Sequence, residues 1–253
     1  MNMKPDQKTV YTCLMEELRK KKHLHFTLID PADQKPEAAA EIAKDAEDAG
    51  SDVIMVGGST GASLLLNETC RAIKRTTGLP VILFPGNVDG VSPEADALLF
   101  MSLLNSGNPY WITGAQALAA PLVKKLGIET IPMGYLIVEP GGTVGWVGEA
   151  RPIPRNKPEL ALCYSLAAEL MGMKMVYLEA GSGAQQPVPV EMISMTKKLL
   201  SIPLIAGGGI RDGETASRIA RAGADIVVTG TVVEESSDRR EVIREIVDAI
   251  HEL

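Results

Sequence analysis

Residues 204–231 have the sequence LIAGGGIRDGETASRIARAGADIVVTGT, from which the fold of the chain can be inferred. Two short apolar runs, 204–207 and 225–229, enclose an amphipathic run that stops at Gly223. Glycines mark the point where each apolar run gives way to the next helix. A strand, a helix and a second strand in this order form a βαβ unit with parallel strands.

The same alternation of apolar and amphipathic runs continues over all 253 residues. Eight apolar runs are predicted to be strands: 25–30, 52–57, 81–85, 97–104, 130–138, 175–180, 204–207 and 225–229. Eight βα units in a chain of this length predict one α/β domain over residues 1–253, a TIM (β/α)8 barrel of parallel strands. An open doubly wound sheet is the alternative. In a barrel the loops after the strands gather at one face, where active sites lie.

Proline, glycine and capping residues predict where the helices begin and end. Pro36 is expected near a helix start, and Ser92-Pro93-Glu94 are expected to be the N-cap and first turn of a helix after the third strand. Helix ends are predicted at five glycines: Gly50, Gly78, Gly127, Gly172 and Gly223.

Composition and charge exclude several classes of protein. Hydrophobic residues make up 45% of the chain and aromatic residues only 4%, so the predicted core is aliphatic. The net charge of -7 is spread without a basic block, which argues against nucleic acid as a partner. The 3 cysteines lie outside any CxxC spacing and indicate neither a disulfide framework nor a zinc site. No signal peptide or membrane-length apolar run is recognised, so a cytoplasmic location is predicted.

One connection, residues 139–157, is much longer than the others and has the sequence EPGGTVGWVGEARPIPRNK. Long loops in compact domains are usually lids or disordered segments. A partly ordered lid is favoured here, because Trp146 and Val147 offer apolar side chains that can dock. If the barrel is modified anywhere, this segment is where the modification is expected.

The last two strands predict a phosphate site. Gly207-Gly208-Gly209 follows strand seven, and Gly230-Thr231 follows strand eight. Glycine lets backbone N–H groups approach an anion closely, and barrels often bind phosphate after these two strands. Because glycine also serves tight turns, it is the pair of turns at the right strand ends that favours phosphate.

Strand six brings a phenol and a carboxylate to the same face of the predicted barrel. Tyr177 and Glu179 are two residues apart, so both side chains can point into the mouth. Glu179 is a candidate general base for a substrate hydroxyl. A rim carboxylate in a salt bridge is an equally good interpretation of the sequence.

Hard oxygen ligands are predicted after the first two strands. Asp30 follows strand one and Ser59 follows strand two. A carboxylate and a hydroxyl suit Mg²⁺ that is shared with substrate phosphates, although an aspartate at a strand end also occurs without metal.

Strand four, residues 97–104, is apolar almost throughout. A packed core is the favoured explanation for this composition. The alternative is an apolar wall that admits an amphipathic substrate beside the polar rim.

The sequence resembles the geranylgeranylglyceryl phosphate synthase family, archaeal prenyltransferases that are similar to bacterial heptaprenylglyceryl phosphate synthases. Its matching motifs run from the first strand to the last: TLIDP (27–31), VGGST (56–60), LFPGN (83–87), LLNS (103–106), YLEAGSG (177–183), GGGIR (207–211) and TGT (229–231). The combination is specific, although the glycine triplet alone occurs in many phosphate-binding barrels.

This resemblance implies Mg²⁺-dependent transfer of a C20 geranylgeranyl group from its diphosphate to the sn-3 hydroxyl of sn-glycerol 1-phosphate, a step of archaeal ether-lipid synthesis. By matching positions, Asp30 and Ser59 are expected to hold Mg²⁺. Glu179 is the expected base, with Tyr177 as a second catalytic residue. The expected glycerol phosphate site comprises Tyr177, Leu178, Glu179, Ala180, Gly181, Ser182, Gly183, Gly208, Gly209, Gly230 and Thr231.

The chain departs from part of the family just before the strand-one aspartate. Some relatives have a lysine in this approach, where this chain has Leu28 and Ile29. Positive charge for the diphosphate is therefore expected from Arg151, Arg155 or Lys157 of the long connection.

The resemblance also implies a homo-oligomer, a dimer or a hexamer, for which Trp111, Trp146 and Tyr164 are candidate interface residues. Two other functions compete with prenyl transfer. A phosphosugar isomerase or aldolase would share the phosphate turns, but no lysine lies at the end of a predicted strand. A non-catalytic binder of a phosphate ligand would need the glycine turns without Asp30 and Glu179 together.

Overall fold

A computed structural model describes residues 8–59, 64–236 and 238–253 of the chain. Its centre is a closed barrel of eight parallel strands in the order β1 to β8. The strands are β1 Leu24–Ile29, β2 Val53–Val56, β3 Val81–Leu83, β4 Ala97–Leu103, β5 Glu129–Ile137, β6 Met175–Glu179, β7 Leu204–Gly207 and β8 Ile226–Thr229. The predicted barrel is confirmed, and every predicted strand lies within two residues of an observed one.

Ten helices surround or close the barrel in the described part of the chain. They are α1 Val10–Lys21, α2 Pro36–Asp48, α3 Leu66–Thr76, α4 Ala115–Leu126, α5 Gly142–Val147, α6 Pro158–Leu170, α7 Val190–Lys197, α8 Gly213–Arg221, α9 Thr231–Glu235 and α10 Arg239–His251. A π-helical turn, Tyr110–Gly114, leads into α4. Pro36 begins α2, and the five predicted glycines each follow a helix end closely. Within the described ranges no helix is long and apolar enough to span a membrane.

Strand alternation divides the core into an inner and an outer part. Side chains such as Phe26, Met55 and Leu99 form a buried cluster to which all eight strands contribute. Their neighbours on each strand pack outward beneath the helices. Helix α1 closes the amino end of the barrel, where the Glu129 carboxylate accepts hydrogen bonds from the first backbone N–H groups of α1 at 2.6 and 2.9 Å. The opposite end of the barrel is therefore the one available for a site.

The regular alternation breaks between β3 and β4. Residues 84–96 are all described and contain no helix, so the expected helix start at Ser92-Pro93-Glu94 is wrong. The Ser92 hydroxyl accepts from the Glu94 N–H at 3.2 Å, which closes a tight turn instead of capping a helix. Asp96 then returns the chain to the sheet by accepting from the Val81 N–H at 2.9 Å. The outer face of the sheet lacks a covering helix at this position.

The long connection 139–157 is an ordered part of the fold. Isolated bridges join Ser106 to Ala150 and Val138 to Ile153. The Asn105 amide fixes the segment against β5 by donating to the Ile137 and Arg151 carbonyls at 2.8 and 3.0 Å. Of the two side chains expected to dock, Val147 is half-buried, whereas Trp146 is 84% exposed and does not dock. Val144, on the same short helix, faces the barrel mouth instead.

Candidate active site

Two cavities meet at the carboxyl ends of the strands. The first, here called the polar cavity, lies over β1, β6, β7 and β8 and has a volume of about 800 Å³ when the space open to solvent at its mouth is included. The second, here called the apolar groove, lies beside β3 and β4 and has a volume of about 820 Å³ on the same basis. Both are lined by Gly58, Ser59, Phe84, Tyr135 and Val144. A ligand with a polar and an apolar part can therefore occupy both cavities at once.

Loops after β6, β7 and β8 form one end of the polar cavity. Gly208 and Gly209 have φ values of 80° and 72°, in the left-handed region that glycine adopts without strain. A Cβ on Gly208 would overlap the Glu179 carboxylate and the Gly181 backbone. Thr231 joins the β6 and β8 loops, because its hydroxyl accepts from the Gly183 N–H at 3.1 Å and lies 3.0 Å from the Ser182 hydroxyl. The predicted glycine turns thus converge in space with residues 181–183.

Glu179, the last residue of β6, lies in the wall of this cavity and is 5% exposed. Its carboxylate accepts a hydrogen bond of 2.6 Å from the Gly181 N–H. Burial raises the pKa of Glu179, while the Gly181 N–H and the Tyr177 hydroxyl act in the opposite direction. No ion pair among the described residues includes Glu179. The structure therefore gives no support to the salt-bridge interpretation and leaves a buried carboxylate open to a ligand.

Three aromatic rings form the floor where the two cavities join. Tyr177 and Phe84 stack with centroids 5.6 Å apart, and Tyr135 contacts both rings edge-on at 5.3 and 5.4 Å. Tyr177 is 1% exposed, and burial raises the pKa of its phenol well above the usual value. Its hydroxyl stays protonated at neutral pH and can stabilise the Glu179 carboxylate.

Asp30 lies at the other end of the polar cavity, directly after β1. One carboxylate oxygen accepts from the Ala32 N–H at 2.9 Å. The carboxylate occupies the space that a Cβ on Gly58 would need, so the VGGS loop after β2 is shaped to admit it. Ser59 lines the same cavity, whereas Thr60 of that motif lies outside the described residues. The two predicted metal positions are brought to one end of the cavity.

The residues at this end fit Mg²⁺ shared with a phosphate ligand. Asp33 and Glu234 add two carboxylates beside Asp30, and none of the three forms an ion pair with a described residue. Burial raises the pKa of both Asp30 and Glu234. Among the described residues, no group of three or more histidine, cysteine, aspartate or glutamate side chains is arranged so that it could hold a metal ion by itself. Mg²⁺ commonly needs only one or two carboxylates, with waters and substrate phosphates as its other ligands.

The basic residues expected at the diphosphate do not line either cavity. Arg155 donates to the Glu139 and Pro187 carbonyls at 3.2 and 2.8 Å, and Lys157 lies 3.7 Å from the Glu159 carboxylate. Arg151 is likewise absent from both linings. Arg211 does line the polar cavity, and its guanidinium is held by the Gly183 carbonyl at 3.3 Å. The sequence contained this signal, since Arg211 ends the GGGIR motif.

The apolar groove exists because the helix after β3 is missing. It passes from the barrel mouth over the outer face of β4, where Leu98 and Phe100 point away from the barrel interior. Residues 84–91 form one wall and α4, including Ala119, forms the other. The Tyr110 hydroxyl donates to the Asn87 side chain at 2.6 Å and joins the two walls. The prediction of packed core is confirmed for most of strand four, where five of its seven residues are buried. The partly exposed Phe100 and Met101 also give the groove an apolar wall, so both interpretations describe part of the strand.

Comparisons with known proteins agree with this geometry. The sequence profile of the PcrB family matches residues 16–250. A geranylgeranylglyceryl phosphate synthase of Methanosphaera stadtmanae is 60% identical over 237 residues, which cover 94% of this chain and 98% of that protein. A protein of the same name from Pyrococcus horikoshii is 59% identical over 227 residues, 89% of each chain.

Solved structures show the same relationship. The (S)-3-O-geranylgeranylglyceryl phosphate synthase of Thermoplasma acidophilum, in complex with its substrate sn-glycerol-1-phosphate, superposes with a TM-score of 0.95 and 46% identity, covering 98% of this chain and 100% of that one. A thiamine phosphate pyrophosphorylase from Pyrococcus furiosus, with a TM-score of 0.61 and 16% identity over 92% of this chain and 98% of that one, shares the fold alone.

Proposed function

The chain belongs to the PcrB family, and we infer that it is a prenyltransferase that joins the geranylgeranyl group of geranylgeranyl diphosphate to the sn-3 hydroxyl of sn-glycerol 1-phosphate. Its products are 3-O-geranylgeranyl-sn-glyceryl 1-phosphate and diphosphate. The observation that carries this function is the junction of the polar cavity with the apolar groove at Ser59, Phe84 and Tyr135. Relatives at 56–61% identity bear the name of this activity, and the Thermoplasma acidophilum relative binds sn-glycerol-1-phosphate.

Glycerol phosphate is assigned to the end of the polar cavity formed by β6, β7 and β8. The phosphate would lie against the backbone of Gly208, Gly209, Gly230 and Thr231, with the Ser182 hydroxyl and Arg211 nearby. Tyr177, Glu179, Ser182 and Gly183 line the same space and would contact the glycerol. Leu178 and Ala180, which were also expected at this site, pack instead in the buried cluster outside the barrel. Fixing one end of the acceptor in this way aims its free hydroxyl toward the junction and lowers the entropic cost of reaction.

Glu179 is proposed to receive the proton of the attacking hydroxyl. It is a buried carboxylate with no ion-pair partner in the described chain, and burial raises its pKa above the ordinary value, which makes it a stronger base. Tyr177, which remains protonated, is proposed to orient the carboxylate. The new C–O bond forms at the allylic carbon, the old C–O bond breaks with its electron pair leaving on diphosphate, and the proton passes through Glu179 to water.

Mg²⁺ dependence is part of the proposal. Asp30 and Ser59 would hold the ion, which when bound supplies positive charge to neutralise the departing diphosphate. The excess of unpaired carboxylates at this end supports the assignment, because a diphosphate could not approach them without a cation. The prenyl chain would then extend from the junction into the apolar groove.

Three further assignments are proposed. The family resemblance implies a homo-oligomer, a dimer or a hexamer. The sequence predicts a cytoplasmic location and one domain over residues 1–253. Trp146 and Tyr164, at 84% and 38% exposure, are accessible candidates for an interface, whereas Trp111 lines the apolar groove.

The competing functions are less well supported. No lysine lies among the described residues that line the polar cavity, so a Schiff-base aldolase has no nucleophile there. A simple phosphate binder would not need a long apolar groove opening at the same junction.

The decisive experiment incubates purified protein with Mg²⁺, geranylgeranyl diphosphate and sn-glycerol 1-phosphate, and measures both the ether product and released diphosphate. Product should form in equal amount to diphosphate and should disappear when sn-glycerol 3-phosphate replaces its enantiomer or when EDTA is added. Binding of sn-glycerol 1-phosphate without product would instead identify a phosphate binder. Product that survives EDTA would refute the Mg²⁺ assignment alone.

A further inference from the structure

The short helix α9, Thr231–Glu235, contacts both ends of the polar cavity. Its first residue, Thr231, contacts Ser182 and Gly183 at the proposed phosphate end. Its fourth residue, Glu234, accepts a hydrogen bond from the backbone N–H of Asp30 at 3.3 Å. One helical turn thus connects the acceptor end to the residue proposed to serve the diphosphate.

The backbone and the core hold this turn firmly in place. Val233 is fully buried in the cluster beneath α2 and α10. The Gly230 carbonyl accepts from the N–H groups of Val233 and Glu234 at 2.8 and 3.2 Å. The backbone of Glu234 is therefore fixed in position. Because of this, the hydrogen bond that its side chain accepts from Asp30 also restricts the position of the Asp30 backbone.

Asp30 has few other restraints. Strand β1 ends at Ile29, so the Asp30 N–H lies beyond the ladder of sheet hydrogen bonds. Its side chain accepts a hydrogen bond from the Ala32 N–H in its own turn and packs against Gly58, where the absent Cβ leaves room for the carboxylate. Glu234 is the acceptor from another element that fixes the Asp30 peptide group.

We propose that Glu234 is a positioning residue that orients Asp30 for the metal-bound diphosphate. The inference rests on the proposed function and adds to it a residue that acts through Asp30. A hydrogen bond to a charged group is strong enough for its loss to weaken binding about tenfold. Loss of Glu234 should therefore affect the diphosphate end and leave the glycerol phosphate end nearly unchanged.

The test compares Glu234→Ala, which removes the acceptor, with Glu234→Gln, which keeps an oxygen acceptor and removes the charge. Glu235→Ala is the matched control, because Glu235 is the next residue, is exposed and does not line the cavity. The readout is binding of Mn²⁺ with inorganic diphosphate, followed by electron paramagnetic resonance. Affinity for sn-glycerol 1-phosphate is measured separately by calorimetry, and KM for each substrate is determined from initial rates.

Glu234→Ala should weaken Mn²⁺-diphosphate binding about tenfold and raise KM for geranylgeranyl diphosphate, with the affinity for glycerol phosphate within about twofold of wild type. Glu234→Gln should recover most of the lost binding, and Glu235→Ala should match wild type. Should Glu234→Ala prove unfolded in a thermal melt, Glu234→Asp, whose shorter side chain cannot reach the Asp30 N–H, takes its place.

Three results would overturn the inference. Unchanged Mn²⁺-diphosphate binding in folded Glu234→Ala would show that Glu234 does not orient Asp30. Equal loss in the alanine and glutamine variants would make Glu234 a direct ligand instead of a positioning residue. Equal loss at both ends of the cavity would indicate a general structural role. Failure of wild-type protein to form ether product would refute the proposed function and not this contact, since the Mn²⁺-diphosphate measurement needs no turnover.

Discussion

Replacing Glu179 with glutamine tests its proposed role as general base, because the substitution removes the basic carboxylate and keeps nearly the same side-chain shape. Glutamine has nearly the same size as glutamate, and its carbonyl oxygen can still accept the 2.6 Å hydrogen bond from the Gly181 N–H. No described ion pair is lost, because Glu179 has none. The change therefore removes the proton acceptor and little else.

The expected loss of rate follows from the role assigned to this carboxylate. A general base contributes about 10² to 10⁴ in rate, which corresponds to about 3 to 5 kcal/mol of transition-state stabilisation. We expect kcat of Glu179→Gln to fall within that range. The dissociation constant for sn-glycerol 1-phosphate should change less than about threefold, because the glycine turns proposed to bind the phosphate are unchanged.

Stability should change in the opposite direction from activity. Burial raises the pKa of Glu179 in the folded protein above that of the unfolded chain. The folded state then binds more protons in the window between the two pKa values, so stability falls as pH rises through it. Above that window Glu179→Gln should have a higher Tm than wild type, and below the pKa of the unfolded chain the two melting curves should converge.

Single-turnover rates, calorimetry and thermal melts on the same preparations check all three expectations. Glu191→Gln, on the exposed start of α7, is a control for loss of one carboxylate. Two results for Glu179→Gln would refute the assignment of Glu179 as general base. One is an equal loss of kcat and of affinity for sn-glycerol 1-phosphate, and the other is an unchanged kcat.

The remaining predictions concern the phosphate turn, the groove and a buried histidine. Gly208→Ala should weaken sn-glycerol 1-phosphate binding more than about tenfold, as measured by calorimetry. Gly172→Ala is the control, because Gly172 has a similar φ of 87° but open space around its Cβ position. This control should lose only about 1–2 kcal/mol of folding stability, measured by thermal melting, from the unfavourable backbone conformation. Ala119→Phe should raise KM about tenfold for the C20 diphosphate and less for the C15 diphosphate, without changing glycerol phosphate affinity. Burial lowers the pKa of His25 to about 4, against opposing attraction from Asp52. The folded chain then binds fewer protons than the unfolded one below the ordinary histidine pKa of 6.5, so about 3 kcal/mol of stability should be lost between pH 6.5 and pH 4. Denaturant titrations should show that the free energy of unfolding of His25→Asn depends less steeply on pH in this range, by the equivalent of one proton. The same slope in the variant and in wild type would contradict the burial argument.

The sequence predicted the barrel because apolar strand runs and glycine helix ends are local signals. All eight strands were found within two residues, since a strand buried on both faces is apolar along its whole length. The same locality explains the error at Ser92-Pro93-Glu94. These residues have the composition of a helix start, but the Ser92 hydroxyl is used within a two-residue turn and Asp96 returns at once to Val81.

The candidate site was predicted in part. Glycine turns, Glu179 and Asp30 could be placed at one mouth because parallel strands deliver their ends to one face. Arg211 and Glu234 were not assigned, although both line the polar cavity, because their roles depend on distances between loops that are remote in sequence. Arg151, Arg155 and Lys157 were predicted from their charge and their place in the long connection, but none of them lines either cavity, and Arg155 and Lys157 contact Pro187 and Glu159 instead.

The missing helix between β3 and β4 separates the space for a substrate chain from the packing of the barrel interior. The groove runs along β4, and its walls include Ala119 and Val91, which pack against the outer core cluster and not against the barrel interior. With the prenyl chain in this groove, as proposed, substitutions at these two positions would change the accepted chain length without replacing a side chain inside the barrel. The proposed phosphate end, built on β7 and β8, would stay the same while the lipid product changed.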